Sequence, residues 1–381
     1  MKILAYIFRI ATTVVAAATL LASLASCDNA IYDDEGDCDV IYRLRFRYDM
    51  NMKFADAFSH EVKSVRLYAF DTDDKLVWQT EESGERLAQE GYDIILPLQP
   101  GDYKLMAWCG LDNGESFTVP QIDLGDTRDP LQCRLNRTQH PEDGAVSTED
   151  LHPLFHGTLE VNLPEDINGG EYVYTMPLTK DTNVFRVVLQ HLSGKDIEAD
   201  DFTFKIEDNN GWLHHDNSLL DDENITYHAW SVYSGSAGVD APEARLSEGL
   251  SVVRCPLSDE NSENGKRETN NGTRAITDVK VAVAELTVSR LVQRDWTVNP
   301  KPMLTIRKAD DGELVARIPI IDYALLVKGN YNRDMSDQEY LDRQDEYNMT
   351  FFLDENNHWL STTIIINSWR VVLNSGELSD N

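Results

Sequence analysis

From Val40 the chain alternates: Val40, Tyr42, Leu44, Phe46 and Tyr48 share one face of an extended backbone, while Ile41, Arg43, Arg45 and Arg47 take the other. A period of two predicts a strand with one buried side. Ser64–Phe70 repeats the pattern, and Asp71–Lys75 turns it into Leu76–Gln79. Ile94–Leu98 and Tyr103–Cys109 flank Pro100-Gly101-Asp102. There proline fixes φ and glycine accepts a positive one, so the segment reads as strand, tight turn, strand. After a loop-rich stretch over Pro141–His152 come strands at Leu154–Val161 and Tyr172–Leu178.

A boundary near Thr179–Asn183 opens a second set: Phe185–Leu189, Phe202–Ile206, Val279–Leu291, Leu304–Lys308 and Leu314–Ile320. Asp310-Asp311-Gly312 turns the last pair, and Leu304–Ile320 echoes the layout of Val65–Val77. One helix is predicted, from the capping-box pattern Ser336-Asp-Gln-Glu339 to about Tyr347. Strands at Met349–Leu353 and Thr362–Leu373 close the chain, and the polar Ser258–Arg274 reads as a surface loop. Closely spaced strands joined by turn residues, without long helical periods, predict an all-β chain of sandwich type. The 381 residues suit two domains. They are placed at residues 40–182 and 183–381.

The first 39 residues follow a different pattern. Lys2 and Arg9 flank an apolar run from Ile10 to Ala25 that ends in Leu24-Ala25-Ser26-Cys27. A basic start, an apolar stretch and small residues before a cleavage point mark a signal peptide, residues 1–26, rather than a spanning helix. The Cys directly after Leu-Ala-Ser resembles the bacterial lipobox. That resemblance implies cleavage between Ser26 and Cys27 and a diacylglycerol on the Cys27 thiol. No other segment reaches the roughly 20 apolar residues of a membrane helix, so attachment falls to the lipid. Residues 27–39 form an acidic tether in which Asp33, Asp34, Glu35 and Asp37 resemble signals that send lipoproteins to the outer face of the outer membrane.

Charge narrows the partners. The 34 basic residues include Lys2 and Arg9 of the leader, so the mature chain carries 32 against 66 acids. Such a chain repels phosphate backbones, which excludes nucleic acid as a partner. Export exposes the remaining cysteines to an oxidising compartment, so Cys38, Cys109, Cys133 and Cys255 are disulfide candidates with three possible full pairings.

Motifs for chemistry are absent: no phosphate loop, His-Glu-x-x-His helix or Gly-x-Ser-x-Gly elbow occurs. Asp71, Asp73 and Asp74 suggest a calcium loop, but Lys75 stands at its fifth position and the central glycine is missing, which favours a hairpin turn. His214-His215-Asp216 is the densest ligand cluster. Adjacent histidines on a strand point to opposite faces and would not grip one metal together. Seven tryptophans (78, 108, 212, 230, 296, 359 and 369) stand singly and read mainly as core. No enzyme, metal, cofactor or small-molecule substrate is expected.

Several stretches together resemble one family. They are the lipobox with its acidic tail to Cys38, Arg45–Phe58, Leu67-Tyr-Ala-Phe-Asp71, Leu105-Met-Ala-Trp-Cys-Gly-Leu111 and Phe155-His-Gly157, then Phe185–Gly194 and Ile366-Asn-Ser-Trp-Arg-Val-Val-Leu373. In order and number they look like the fimbrillin-associated anchor proteins, base subunits of type V fimbriae, over essentially the whole mature chain. The resemblance implies two tandem transthyretin-like β-sandwiches and a non-catalytic anchor or accessory role at the outer membrane, with a fimbrial shaft subunit as partner. In that system, removal of the first strand by an arginine-specific protease opens a groove that a neighbour's C-terminal strand fills, by main-chain pairing.

Here no Arg or Lys lies between Cys27 and Ile41, and Arg43, Arg45 and Arg47 sit inside the first strand. Folded strands are poor protease sites, so the first strand and its lipid are expected to stay. The apolar run at Ile364, Ile365, Ile366, Trp369, Val371, Val372 and Leu373 is the strand-donor candidate, or else the last strand of its own domain. The competing class is a surface lipoprotein that binds a glycan or host ligand apart from any polymer.

Overall fold

The computed structural model describes residues 40–111, 114–165, 169–237, 279–329, 332–366 and 369–372, the last of these as backbone only. The leader, the tether, Cys38, Cys255, Ser258–Arg274 and Leu373 lie outside the described residues. The architecture is all-β, with few and short helices. Two compact units divide it.

The smaller unit comprises, among described residues, 40–45, 93–101 and 162–174. It contains most of a three-stranded sheet in the order Gly170–Pro177, Val40–Arg47, Ile94–Ile95. The first strand follows the predicted alternation: Tyr42 and Leu44 are buried, and Arg43 faces outward against Asp93. Tyr42 donates from its hydroxyl to the Pro164 carbonyl at 2.6 Å, and its backbone carbonyl accepts from Leu96 at 2.9 Å.

The larger unit holds the remaining sheets. A five-stranded sheet runs Thr179–Lys180, Phe155–Leu163, Gly101–Cys109, Ser64–Phe70, Leu76–Ser83. At the end of its central strand, Gly110 has φ +91°, and a Cβ there would lie 2.0 Å from the Pro153 carbonyl oxygen, so only glycine fits. The Asp71 turn forms as predicted. Asp71 Oδ1 accepts from the Asp73 and Lys75 backbone N–H at 3.0 and 2.9 Å, and Asp74 binds Lys104 and Arg128. The Asp71 and Asp74 carboxylates are thus engaged in turn geometry and ion pairs.

A six-stranded sheet runs Ser231–Ala237, Val279–Ser289, Thr182–His191, Glu346–Leu353, Trp359–Ile366, Trp369–Val372. Thr182–His191 is its spine, antiparallel to Val279–Ser289 and parallel to Glu346–Leu353. Phe185, Val187 and Leu189 alternate inward and join a core that includes Phe204, Ile206, Leu304, Ile306, Met349 and Phe351. A second six-stranded sheet runs Leu314–Pro319, Met303–Lys308, Phe202–Asp208, Ile225–His228, Gly144–Ser147, Thr138–His140. Of its last two strands, Gly144–Ser147 comes from the loop-rich stretch and Thr138–His140 just precedes it: Ala145–Ser147 pairs in parallel with Ile225–Tyr227. A small sheet joins Trp212–Leu213, Cys133–Leu135 and Phe117–Thr118.

The hairpin echo is present, since Ser64–Phe70 with Leu76–Ser83 and Met303–Lys308 with Leu314–Pro319 are both antiparallel pairs with one register shift. Several elements differ from expectation, among them short strands such as Ile225–His228 and Ser231–Ala237 and a four-residue helix at Phe58–Glu61. The predicted helix begins as read, Ser336 Oγ accepting from the Glu339 backbone N–H at 3.0 Å, but it ends at Arg343 because the Glu346–Leu353 strand claims the following residues. A further unpredicted helix, Ile320–Leu326, follows its strand directly. Its run of Ile-Ile-Asp-Tyr-Ala-Leu-Leu is too apolar for helical period to stand out. The predicted single strand at Thr362–Leu373 is a hairpin, with Thr363 opposite Val372 and Ile366 opposite Trp369.

Candidate functional site

The anchor-related features are distributed over both termini. In the first strand Arg43 donates from Nη1 to Asp93 at 2.9 Å and also contacts Glu171, and Arg45 lies 3.9 Å from Asp93. Arg47 pairs with Asp49 at 2.9 Å. Three basic side chains that a protease would have to read are thus held on a paired strand. At the other end, Ile364 and Ile366 are fully buried in the core and Ile365 is half-buried, while Trp369, Val371 and Val372 belong to the edge strand of their sheet. The donor candidates therefore occupy their own sheet here, the arrangement expected of a last strand of the domain.

Of the disulfide candidates, Cys109 and Cys133 are free thiols and buried. This corrects the expectation for those two. Burial pushes the Cys109 thiol far above its ordinary range, which keeps it protonated and inert. Of the tryptophans, Trp108 is fully buried, and 78, 212, 230, 296 and 359 are half-buried on separate elements.

Sequence reasoning placed His214 and His215 on opposite faces of a strand. The structure corrects this: the strand ends at Leu213, and both histidines lie in a turn. The turn is closed by His214 N–H to the Ser218 carbonyl at 2.8 Å and by Asn217, with φ +67°, donating to the His214 carbonyl at 2.9 Å. Without strand geometry the side chains no longer alternate, and the two rings lie with centroids 4.0 Å apart, tilted by 41° to each other. His214 Nδ1 lies 3.2 Å from Asp216 Oδ1, which also accepts from the Ser218 hydroxyl and backbone. Burial alone would raise Asp216, but the Ser218 hydrogen bonds and the His214 imidazole outweigh it and bring its carboxyl to about 2.

Two neighbours fix the turn from beneath. His156 lies against Trp108 at 4.5 Å and donates from Nε2 to the His215 carbonyl at 2.9 Å. Burial lowers the His156 imidazole to about 4, so it is neutral and carries its proton on that nitrogen. Arg290 donates to the Asn217 carbonyl at 2.6 Å, and Asn217 Nδ2 donates to Asp181 at 2.9 Å. Asp129 completes the cluster, since one ligand atom from each of Asp129, His214 and His215 lies within 4.8 Å of the others. Nothing local in the sequence marks Asp129, which sits in a turn closed by Leu131 N–H to the Arg128 carbonyl at 2.8 Å. A cleft of about 170 Å³ adjoins, lined by Lys104, Arg128, Thr158, Glu160, His215 and Asp216 among others.

A second group missed by sequence reasoning is buried and ionic. Asp181 is fully buried, with Arg290 at 3.7 Å, and Arg290 makes two hydrogen bonds to Asp342 at 2.8 and 2.9 Å. Burial raises the Asp181 carboxyl to about 7 despite Arg290 and Asn217. Arg294 binds buried Asp208 in the same manner, and burial raises that acid to about 6.

Comparison with known proteins gives the context for these features. A family model described as Fimbrillin-A associated anchor proteins Mfa1 and Mfa2 matches residues 34–375. The minor fimbrium anchoring subunit Mfa2 of Porphyromonas gingivalis is 25% identical over 214 residues, covering 55% of this chain and 62% of that protein, less than two thirds of its length. A solved structure of a candidate adhesin from Bacteroides thetaiotaomicron superposes with a TM-score of 0.69 at 32% identity, over 88% of this chain and 98% of that one. A candidate polysaccharide-binding protein of the same organism gives a TM-score of 0.67 at 26% identity, over 89% and 99%.

Proposed function

Because this chain belongs to the family of Fimbrillin-A associated anchor proteins Mfa1 and Mfa2, we propose that it is a lipid-anchored, non-catalytic base subunit of a fimbria, joining the shaft to the outer membrane. The family is one of fimbrial structural proteins, not of enzymes. The observation that carries the reading is the combination of a family match over residues 34–375 with a lipobox ending at Cys27 immediately before it. Among the described residues no helix is long and apolar enough to cross a membrane, so the anchor in this reading is the acyl group on Cys27. The acidic residues Asp33, Asp34, Glu35 and Asp37 then direct the protein outward, and two transthyretin-like modules divided near residue 182 carry the contact with the shaft. A fully buried Leu44 and three ion-paired arginines favour a first strand that stays in place.

Deleting the gene and imaging the fimbriae tests the role. Filaments shed into the medium or grown overlong are expected, and filaments of normal length and attachment would refute the anchor. Treatment of the cells with an arginine-specific protease tests the retained strand. The amino terminus is expected to remain acylated Cys27 by mass spectrometry, whereas a new terminus following Arg43, Arg45 or Arg47 would overturn that part. The second reading, a glycan-binding surface adhesin, draws on the likeness to the polysaccharide-binding candidate. Normal fimbriae together with glycan-array binding lost on tryptophan replacement would favour it.

A further inference from the structure

We propose that Asp129, His214 and His215 form a binding site for one zinc-class divalent cation, with Asp216 as its outer-sphere support. The site lies outside everything the anchor reading uses. Its construction starts from backbone pairing: Leu213 stands opposite Cys133, and Trp212 opposite Arg134. That short ladder sets the residues after Leu213 beside those before Cys133, and so brings the His214–His215 turn to the Asp129 turn. Both turns are closed by their own hydrogen bonds, including Gln132 Nε2 to the Asp129 carbonyl at 3.1 Å.

One separation in the cluster lies within ion-pair reach and also suits two ligands of a shared cation. His215 Nε2 and Asp129 Oδ1 are 3.5 Å apart. That is too long for an N–H···O hydrogen bond, which closes at about 2.7–3.2 Å. Two ligand atoms each about 2.0–2.1 Å from zinc are separated by roughly 3.3–3.5 Å at near-tetrahedral angles. His214 can supply a ligand nitrogen. Its Nδ1 donates to Asp216, which fixes the tautomer and leaves the Nε2 lone pair free. A carboxylate behind a ligating imidazole is the usual outer shell of a zinc histidine. Two imidazoles and one carboxylate match the preference of zinc for nitrogen and oxygen donors, and three protein ligands leave a fourth position for water or a ligand. The Arg128 guanidinium beside Asp129 opposes a cation at less than full charge, because it is paired with Asp74 at 3.1 Å. A mature chain with 66 acids against 32 basic residues adds a field that attracts cations.

The test is a titration of the full mature chain, in detergent, with Zn²⁺ against a chromophoric chelator, with Ca²⁺ and Mg²⁺ as comparison ions. One Zn²⁺ per chain is expected, with no comparable Ca²⁺ or Mg²⁺ binding. Asp129→Asn, His214→Gln and His215→Gln should each weaken it at least about tenfold, and Asp216→Asn by roughly 10- to 100-fold. His140→Gln, at an exposed histidine elsewhere, should leave it unchanged. Asp129 is exposed, so its replacement leaves the core intact and separates loss of a ligand from loss of fold. Absence of saturable Zn²⁺ binding, or binding indifferent to Asp129→Asn in a folded chain, overturns the site.

Discussion

A Cys27→Ala variant is expected to leave the membrane fraction almost completely and to appear as soluble protein, still carrying its folded β-sheets. The argument is one of hydrocarbon burial. Each acyl methylene contributes about 0.8 kcal/mol, so a single chain gives marginal, reversible binding and two or more give a stable anchor. Alanine offers no thiol for the diacylglycerol, and among the described residues no helix can replace it. The loss should therefore be orders of magnitude in partitioning. Fractionation with an immunoblot reads it, and a Cys27→Ala protein that stayed in the membrane pellet through a high-salt wash would remove the basis of the anchor reading.

The second large effect lies in the core. Arg290→Met is expected to destabilise the fold by roughly 3–5 kcal/mol at neutral pH, because it strands Asp342 and fully buried Asp181 without their cation. It also removes the bond that holds the Asn217 carbonyl beneath the histidine turn. Asp181→Asn should behave in the opposite way. It keeps an oxygen to accept from Asn217 and never needs to bury a charge.

The pH dependence gives the sign. The folded chain raises the Asp181 carboxyl from 3.8 to about 7, so it holds a proton that the unfolded chain releases between about pH 4 and pH 7. Wild-type stability from this group therefore falls as pH rises through that window and is level above it. The Asn variant should lack this loss, gaining on wild type by on the order of 3 kcal/mol between pH 4.5 and pH 7.5. Asp208, raised to about 6, tilts both proteins alike, so the difference between them isolates Asp181. Urea unfolding at several pH values measures it, and parallel curves for wild type and Asp181→Asn would contradict the assignment.

What was legible beforehand follows from how local each signal is. Alternation over Val40–Arg47 is written in adjacent side chains, and that strand buries Tyr42, Leu44 and Phe46 as read, whereas Ser64–Phe70 is a strand as predicted but is buried on both faces in the middle of its sheet. The Ser336 cap was readable because it depends on a residue and the backbone three positions on. Gly144–Ser147 was not. Four residues among turn formers carry too little pattern, and they extend only because Ile225–Tyr227 offers them a sheet edge. The break in the last strand after Ile366 was hidden by the apolar run on both sides of Asn367-Ser368.

The sequence by itself determined the all-β class and the arginine-bearing first strand, since each is set by neighbours within a few residues, and it carries in the same local way the expectation of a leader and of a lipid on Cys27. Only the tertiary structure decided that Asp129 meets His214 and His215, that Asp181 lies buried beside Arg290, and that Cys109 and Cys133 remain thiols. Those outcomes depend on strand pairings between distant segments, such as Leu213 with Cys133. The free energy that selects such pairings comes from burying the whole core together, a quantity no short window of residues contains.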